Sequence, residues 1–258
     1  MANINAYEED LYARFYDWCY RDYGSDIPYY LNLAKEYGGP VLEAACGSGR
    51  VAFPLARAGF KVTGIDLSAA MLSQARRKCG SEPKKIRDSM SFIQGDMSDF
   101  HLGRAFSCVF VPNASLFNLR GPETLSRCFA CLFEHISPGG ILAVDLVSPY
   151  RMAGQKAGGL TLLTEGVNPV TGLMTREFNR KLEVDRSRQI VRVEHIYTEQ
   201  AGAEEKRYEF VQNYRWIEES EGLELLSKAG FGQLKTFGDF RGSPFSGDSE
   251  RLILTGRR

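Results

Sequence analysis

The sequence predicts a doubly wound α/β fold, because apolar runs of strand length alternate with helical patterns through its first 150 residues. The runs VFV (109–111) and ILAVDLV (141–147) are apolar almost throughout, as in parallel strands that are buried on both faces. Crossovers through helices give a parallel sheet covered on both sides. We expect strands at 40–45, 61–66, 91–95, 106–112 and 140–147, and helices at 51–57, 69–78 and 123–136.

From residue 173 to residue 216 the pattern changes to the two-residue alternation of antiparallel strands. Turn-rich segments at 185–188 and 201–205 divide this stretch into three strands. A helix at 218–229 and strands at 231–239 and 250–256 follow, and these last strands are expected to pair antiparallel. We therefore predict a Rossmann-like sheet of seven strands, mostly parallel with an antiparallel last strand, and a three-stranded antiparallel insertion after the fifth strand.

Three regions follow from this pattern. Residues 1–37 are expected to form an N-terminal helical cap, and residues 38–150 with 217–258 the ligand-binding α/β domain. Residues 151–216 are the insertion, which would serve as a lid or as the surface of a homodimer.

Composition excludes several classes of protein. Thirty-two basic residues balance 32 acidic ones, so no overall field favours a nucleic acid or an anionic membrane. The N-terminus carries acids and no apolar run, which predicts no signal peptide and a cytoplasmic location. Cys128 and Cys131 form a C-x-x-C within a helical pattern, but no second ligand pair accompanies them, so no metal site is expected.

A glycine turn joins the first strand to its helix, in the sequence Glu43-Ala-Ala-Cys-Gly47-Ser-Gly49. Glycines there allow a tight turn and a close approach to a ligand, and the helix that follows presents free N–H groups. The loop by itself leaves three interpretations open. Gly47-x-Gly49-x-x-Ala52 fits a ligand with an anionic group, it fits the dinucleotide fingerprint, and it also fits a purely structural turn.

Carboxylates are expected at three neighbouring strand ends. Glu43 lies four residues before Gly47, where a ligand with an ammonium group, or one that needs an ordered water, has a use for it and a pyrophosphate has none. Asp66 ends the second strand, where it can accept both hydroxyls of a ribose. Asp96 follows the third strand, where it can accept an adenine amino group. Ligands of open α/β sheets bind outside these strand ends, so the three acids favour a nucleoside ligand over a purely structural turn.

These motifs resemble a known family. EAACGSGR (43–50), VTGIDLSAAML (62–72), GDM (95–97) and Ser137-Pro-Gly-Gly140 match class I S-adenosylmethionine-dependent methyltransferases in order and spacing across residues 38–147. The resemblance implies that the protein uses S-adenosyl-L-methionine, leaves S-adenosylhomocysteine as product and transfers a methyl group to nitrogen or oxygen of a small molecule. It also implies a set of cofactor contacts: Gly47 and Gly49 under the methionine part, Asp66 on the ribose, Asp96 and the Met97 backbone on the adenine, Leu67 and Met71 as apolar contacts, and Glu43, Ala45 and Pro112 around them. Ala45 departs from the family pattern, since many members have glycine there.

Both ends of the chain also resemble small-molecule members, including glycine and amino-sugar N-methyltransferases. In those relatives an N-terminal tyrosine helps to enclose the cofactor, which makes Tyr16 and Tyr30 the candidates here.

No general base stands out. Tyr16 and His195 are the candidates for a catalytic role, and His195 lies within a predicted strand of the insertion. Several relatives have histidine near Asn118, so that departure weakens a histidine base. A sulfonium methyl is already activated, and positioning the acceptor can supply about 7–11 kcal/mol without a base.

The acceptor site is predicted by position only. Asn113 lies in the loop after the fourth strand, where relatives contact the acceptor, and Arg176 and Tyr214 lie in the insertion. Converging arginines would indicate an acceptor carboxylate or phosphate. Two other classes stay open, a non-catalytic S-adenosylmethionine-binding protein and a dinucleotide-dependent oxidoreductase.

Overall fold

Two sheets organise the chain in the computed structural model, which describes residues 6–119 and 121–258. The strands are β1 Val41–Ala44, β2 Val62–Asp66, β3 Met90–Gln94, β4 Phe106–Val111, β5 Ile136–Val147, β6 Thr161–Val167, β7 Met174–Asp185, β8 Ile190–Ala201, β9 Glu204–Arg215, β10 Gly232–Phe237 and β11 Arg251–Arg257. The helices are α1 Ala6–Cys19, α2 Ile27–Tyr37, α3 Ala52–Arg57, α4 Ala69–Gly80, α5 Lys84–Arg87, α6 Pro122–Glu134, α7 Pro149–Ala153 and α8 Glu219–Ala229, with a 3₁₀ turn at Ser115–Asn118.

The main sheet has seven strands in the order β10-β11-β5-β4-β1-β2-β3. Strands β1 to β5 pair in parallel, and β11 runs antiparallel to β5 and to β10. The predicted mostly parallel sheet with an antiparallel last strand is confirmed. Because β1 lies between β4 and β2, the strand order reverses at β1, and a crevice opens at the carboxyl ends of these strands.

Both faces of the main sheet are buried, which explains its apolar runs. Val109 and Val111 of β4 pack in a core with helices α6 and α8. Cys108 and Phe110, which alternate with them, pack in a second core with α2 and α3. Consecutive side chains of a strand point to opposite faces, so a strand covered by helices on both sides must be apolar at each position.

The insertion has four strands, so the prediction of three strands is wrong. Strands β7, β8 and β9 follow the predicted alternation and turns, but β6 pairs with β7 at the edge of this sheet. Its sequence does not alternate, since Leu162 and Leu163 are adjacent, and a register shift between residues 162 and 164 interrupts the pairing. An exposed edge strand is buried on neither face, so its sequence carries little periodicity.

Helices α1 and α2 occupy the predicted N-terminal cap, of which residues 1–5 lie outside the described residues. Helix α1 packs on the insertion sheet, where the rings of Phe15 and Tyr197 stack at 4.4 Å between centroids. Within residues 6–119 and 121–258, no helix is long and apolar enough to cross a membrane. The same residues hold no group of three or more His, Cys, Asp or Glu side chains suited to a metal ion.

A buried ion pair joins the cap to the glycine turn. Asp26, which precedes α2, is fully buried and accepts two hydrogen bonds from the Arg50 guanidinium, at 2.7 and 2.6 Å. This bidentate geometry satisfies both carboxylate oxygens in a region that excludes water. Removing one partner of such a pair leaves a buried charge without compensation, which costs more than the pair itself contributes.

We therefore expect Asp26→Asn to lower the free energy of unfolding by about 3 kcal/mol, measured by urea denaturation near neutral pH. The matched control is Asp88→Asn, because Asp88 forms an exposed pair with Lys84, and its effect should stay within about 0.5 kcal/mol. Equal effects of the two substitutions would contradict a stabilising role for the buried pair.

Candidate functional site

A cavity of about 530 Å³ lies between the carboxyl ends of the parallel strands, helix α1 and the insertion sheet. The main sheet contributes lining residues at the ends of β1, β2 and β3 and in the loop after β4, and the insertion contributes residues from all four of its strands. Its acidic and basic lining residues are Asp66, Asp96, Glu177, Lys181 and His195.

The glycine turn after β1 forms one wall. Gly47 and Gly49 have φ values of +53° and +87°, a backbone region that side chains rarely adopt. A Cβ on Gly49 would lie 2.8 Å from the Phe53 ring, so this position also lacks room for a side chain. Ala45 has a φ of +55°, which explains why glycine is common there in the family that the motifs resemble. Ala45 and Gly47 line the cavity, whereas Gly49 lies behind it.

The Asp66 carboxylate accepts hydrogen bonds from two turns, the glycine turn after β1 and the turn after β2. One oxygen accepts a hydrogen bond from the Gly47 N–H at 2.7 Å, and the other accepts one from the Ser68 N–H at 2.9 Å. Burial raises the pKa of Asp66, and these backbone donors oppose the shift. Each oxygen keeps a second lone pair, so the carboxylate can still accept two hydroxyl groups of a ligand in the cavity.

Asp96 lies at the next strand end. Its Oδ1 accepts hydrogen bonds from the backbone N–H and the hydroxyl of Ser98, both at 2.8 Å, which fixes the side chain while Oδ2 keeps no partner among the described residues. Met97, Met71 and Leu67 line the same part of the cavity, and Leu67 is half exposed. This end therefore combines two carboxylates with apolar side chains.

Three tyrosines at the C-terminal end of helix α1 cover the glycine turn. Tyr12 and Tyr16 of α1 and Tyr20, the residue that follows the helix, are spaced four residues apart and all line the cavity. The Tyr16 ring lies 3.9 Å from the position that a Cβ on Gly47 would take, and its centroid is 4.6 Å from that of Tyr20. Burial raises the pKa of each of these tyrosines, so their hydroxyls stay protonated at neutral pH.

Several residues named from the sequence do not line the cavity. Tyr30 is fully buried in the core against Phe110, at 4.9 Å between ring centroids. Glu43 is buried beneath the glycine turn, and Pro112 lies next to the lining residue Asn113. Arg176, on the other face of β7, forms ion pairs with Glu165 of β6 and Glu205 of β9. These four side chains are not among the residues that line the cavity, and their contacts with a ligand stay predictions.

A chain of hydrogen bonds connects the insertion to the loop after β4. Gln212 Nε2 donates to Asn118 Oδ1 at 2.7 Å, and the Tyr214 hydroxyl donates to Gln212 Oε1 at 2.5 Å. Because the single Tyr214 proton is thereby used, His195 Nε2, 3.0 Å away, must donate to the Tyr214 oxygen. Burial lowers the pKa of His195 to about 4, and a neutral imidazole with so low a pKa is a weak general base at neutral pH.

The insertion supplies several cavity-lining residues that were not predicted from the sequence. Glu177, Asn179 and Lys181 of β7 line the cavity, as do Val191 and Val193 of β8 and Gln212 of β9. The available signal was the two-residue alternation of β7, which puts Glu177 and Arg176 on opposite faces. Only the structure shows which face of the strand meets the cavity.

Comparisons with known proteins agree with the fold. The chain is similar to the DesVI protein of Streptomyces venezuelae, with a TM-score of 0.76, 22% identity and coverage of 95% of this chain and 98% of that one. It is also similar to CalS10, an amino pentose methyltransferase from Micromonospora echinaspora solved with S-adenosylmethionine bound, with a TM-score of 0.71, 19% identity and coverage of 94% and 96%. The two sheets therefore have the same fold as these two proteins, a Rossmann-like main sheet with an antiparallel insertion.

Residues 41–140, which include β1 to β4 and the glycine turn, match the family model described as "Methyltransferase domain". A curated relative, the dTDP-3-amino-3,4,6-trideoxy-alpha-D-glucopyranose N,N-dimethyltransferase of Streptomyces venezuelae, is 33% identical over 139 residues, which is 53% of this chain. The aligned part is 55% of that relative, so the chain spans about half the length of the curated relative. The match favours a methyltransferase over a dinucleotide-dependent oxidoreductase.

The Glu43 carboxyl generates a pH-dependent prediction. Burial raises its pKa to about 8, the Arg50 charge lowers it in part, and Oε2 has no hydrogen-bond partner among the described residues. In the unfolded chain this group ionises near pH 4.5, so the folded protein holds the extra proton between about pH 5 and pH 8. The neutral carboxyl therefore contributes its full stabilisation below the unfolded pKa of 4.5, and this stabilisation is lost as pH rises to the folded pKa of about 8.

We subtract the free energy of unfolding of the wild type from that of Glu43→Gln at each pH. This difference should grow from pH 5 to pH 8, by up to about 1.4 kcal/mol per pH unit, and then level off. Urea unfolding of both proteins at pH 5, 6.5, 8 and 9 measures this difference, in which the other titrating groups cancel. A difference that shrinks with rising pH would show that Glu43 is ionised in the folded protein.

Proposed function

We propose that this protein transfers a methyl group from S-adenosyl-L-methionine to a nitrogen atom of a small-molecule amine. The observation that carries the proposal is the Glu177 carboxylate, which lines the cavity and forms no ion pair among the described residues. It lies beside helix α1, since its Oε1 accepts a hydrogen bond from Tyr197, and the Tyr197 ring stacks on Phe15. Burial and, after it, the nearby Glu177 charge raise the pKa of Tyr20, and the Tyr20 ring centroid lies 4.6 Å from that of Tyr16 over the glycine turn, so Glu177 lies toward the end of the cavity that faces the proposed methyl donor.

The residues at the strand ends fit the cofactor. Asp66 would hold the ribose hydroxyls and Asp96 the adenine amino group, with Leu67, Met71 and Met97 as apolar contacts. Gly47 and Ala45 would contact the methionine part of the cofactor, because the absence of large side chains at these positions leaves space for it in the cavity. When bound, S-adenosylmethionine supplies a methyl group that its sulfonium has already activated.

The cavity is suited to cationic ligands. Its lining holds three carboxylates, Asp66, Asp96 and Glu177, against one ammonium group, Lys181, and no arginine among the described residues. An excess of negative charge in a cleft attracts cations, and both the proposed cofactor and a protonated amine carry positive charge. Hydroxyl acceptors would gain nothing from this field.

A residue of the cavity can also accept the proton that an ammonium group must lose before it attacks the methyl group. An amine must be neutral when it attacks the methyl group, and an ammonium group bound at Glu177 can pass one proton to a carboxylate oxygen. Burial raises the pKa of Glu177, which makes the carboxylate a better proton acceptor than an exposed glutamate. Tyr12, Tyr16 and Tyr20 exclude water around this group.

Other expectations from the sequence stay predictions. The curated relative named above acts on an amino sugar according to its name, which supports a small-molecule amine here. The insertion as a lid is supported by the residues that it contributes to the cavity. A homodimer through the insertion is supported by the exposed apolar side chains of β6 and β7, Leu162, Leu163, Val167 and Met174. The cytoplasmic location also stays a prediction.

Methyl transfer to amines and to their hydroxyl analogues tests the proposal, with the methylated product detected by mass spectrometry. We expect the amines to be methylated, and Glu177→Gln to lower kcat/KM for them by about 10- to 150-fold, because the charge-assisted contact of about 1.5–3 kcal/mol is lost.

The matched control is Glu165→Gln, which changes an exposed glutamate of the same sheet outside the cavity lining. That variant should keep its activity, and both variants should bind S-adenosylhomocysteine like the wild type. Preferred methylation of the hydroxyl analogues, or full amine turnover by Glu177→Gln, would contradict the proposal.

A further inference from the structure

A polar stripe runs along the cavity face of β7. Glu177, Asn179 and Lys181 occupy alternate positions and all line the cavity. In the register with β8 they lie opposite Tyr197, His195 and Val193, of which His195 and Val193 also line it, so these side chains share one face. The stripe places a carboxylate, an amide and an ammonium group in a row.

The ends of the stripe lie at different ends of the cavity. Glu177 contacts Tyr197, which packs on helix α1 near the glycine turn. The backbone carbonyl of Lys181 accepts a hydrogen bond from the Gly158 N–H, in the segment that follows the lining residues Met152 and Gln155. Four residues of a strand span about 13 Å, so the two charged groups are separated by roughly that length.

Lys181 differs from three arginines of the same sheet. Arg176, Arg180 and Arg215 each form an ion pair with a glutamate. Lys181 is half-buried and forms no ion pair or side-chain hydrogen bond within the described part of the chain. Asn179 Oδ1, next to it on the stripe, is buried and also has no partner there. A buried carbonyl oxygen without a partner is costly unless a ligand or water satisfies it, which applies to Asn179 Oδ1, and the Lys181 charge beside it, unpaired among the described residues, is free to bind an anion.

We propose that the methyl acceptor has two charged ends, an amine held by Glu177 and an anionic group held by Lys181, about 13 Å apart along β7. This inference rests on the proposed function and narrows its substrate to amines that carry a carboxylate or a phosphate. An ammonium group is a compact charge that binds either anion, without the two-pronged geometry of a guanidinium. Lys181 thus selects the acceptor, and Glu177 positions the nitrogen that is methylated.

The test measures, by calorimetry, the binding of small probes to the protein loaded with S-adenosylhomocysteine. The probes are ω-amino carboxylates from 6-aminohexanoate to 12-aminododecanoate, the ω-aminoalkyl phosphates of matching length, and the alkylamines of the same lengths as one-ended controls. We expect a two-ended probe near the middle of the series to bind at least about tenfold more tightly than its alkylamine. The carboxylate and phosphate series identify which anion the site prefers.

Two variants locate the contact. Lys181→Met should reduce the affinity of the two-ended probes to that of the alkylamines and leave alkylamine binding unchanged. Arg180→Met is the matched control, because Arg180 pairs with Glu194 and is not among the cavity-lining residues, and it should keep the wild-type preference. Glu177→Gln should weaken alkylamines and two-ended probes alike.

The outcomes separate this inference from the function on which it rests. If S-adenosylhomocysteine binds but no two-ended probe exceeds its alkylamine, or if Lys181→Met keeps the preference, the two-ended site is wrong and the methyltransferase proposal stands. If S-adenosylhomocysteine does not bind to the wild type, both proposals are wrong.

Discussion

The carboxylate of Asp66 accepts one hydrogen bond from the Gly47 N–H and one from the Ser68 N–H, and these contacts fix the geometry of the whole site. They join the turn after β1 to the turn after β2, so two adjacent strand ends become a single rigid wall. Charge-assisted hydrogen bonds of this kind are stronger than neutral ones. The helix α1 tyrosines then cover that wall, and the buried Asp26–Arg50 pair anchors the cap from the other side.

The two halves of the cavity use charge differently. At the strand ends, Asp66 and Asp96 are held by backbone or hydroxyl donors, so their positions are set before any ligand binds. On the insertion, Glu177 and Lys181 have no partner of opposite charge among the described residues, so their charges are available to a ligand. The preorganised half suits a fixed adenosine-bearing cofactor, and the other half determines which acceptor is bound. The Gln212–Asn118 hydrogen bond joins the insertion to the loop after β4, and the neutral His195 contacts Gln212 indirectly through Tyr214.

The sequence allowed the parallel sheet and the cofactor half to be predicted because both depend on local patterns. Strands buried on both faces are apolar throughout, and glycine turns with acids at strand ends have fixed spacings. The acceptor half depends on which face of an antiparallel strand meets the cavity, and a shift of one residue reverses that assignment. The alternation therefore does not show that Glu177, and not its neighbour Arg176, lines the cavity. Tyr30 was chosen by analogy, but its ring completes the core beneath the sheet, a tertiary contact that no local pattern reveals.

The most direct test of the central claim is calorimetric titration of the wild type and of Asp66→Ala with S-adenosylhomocysteine and with NAD. The account predicts that the wild type binds S-adenosylhomocysteine and not NAD. It also predicts that Asp66→Ala loses about 1.5–3 kcal/mol of that binding free energy while staying folded. Tighter binding of NAD, or an affinity for S-adenosylhomocysteine that Asp66→Ala leaves unchanged, would contradict it.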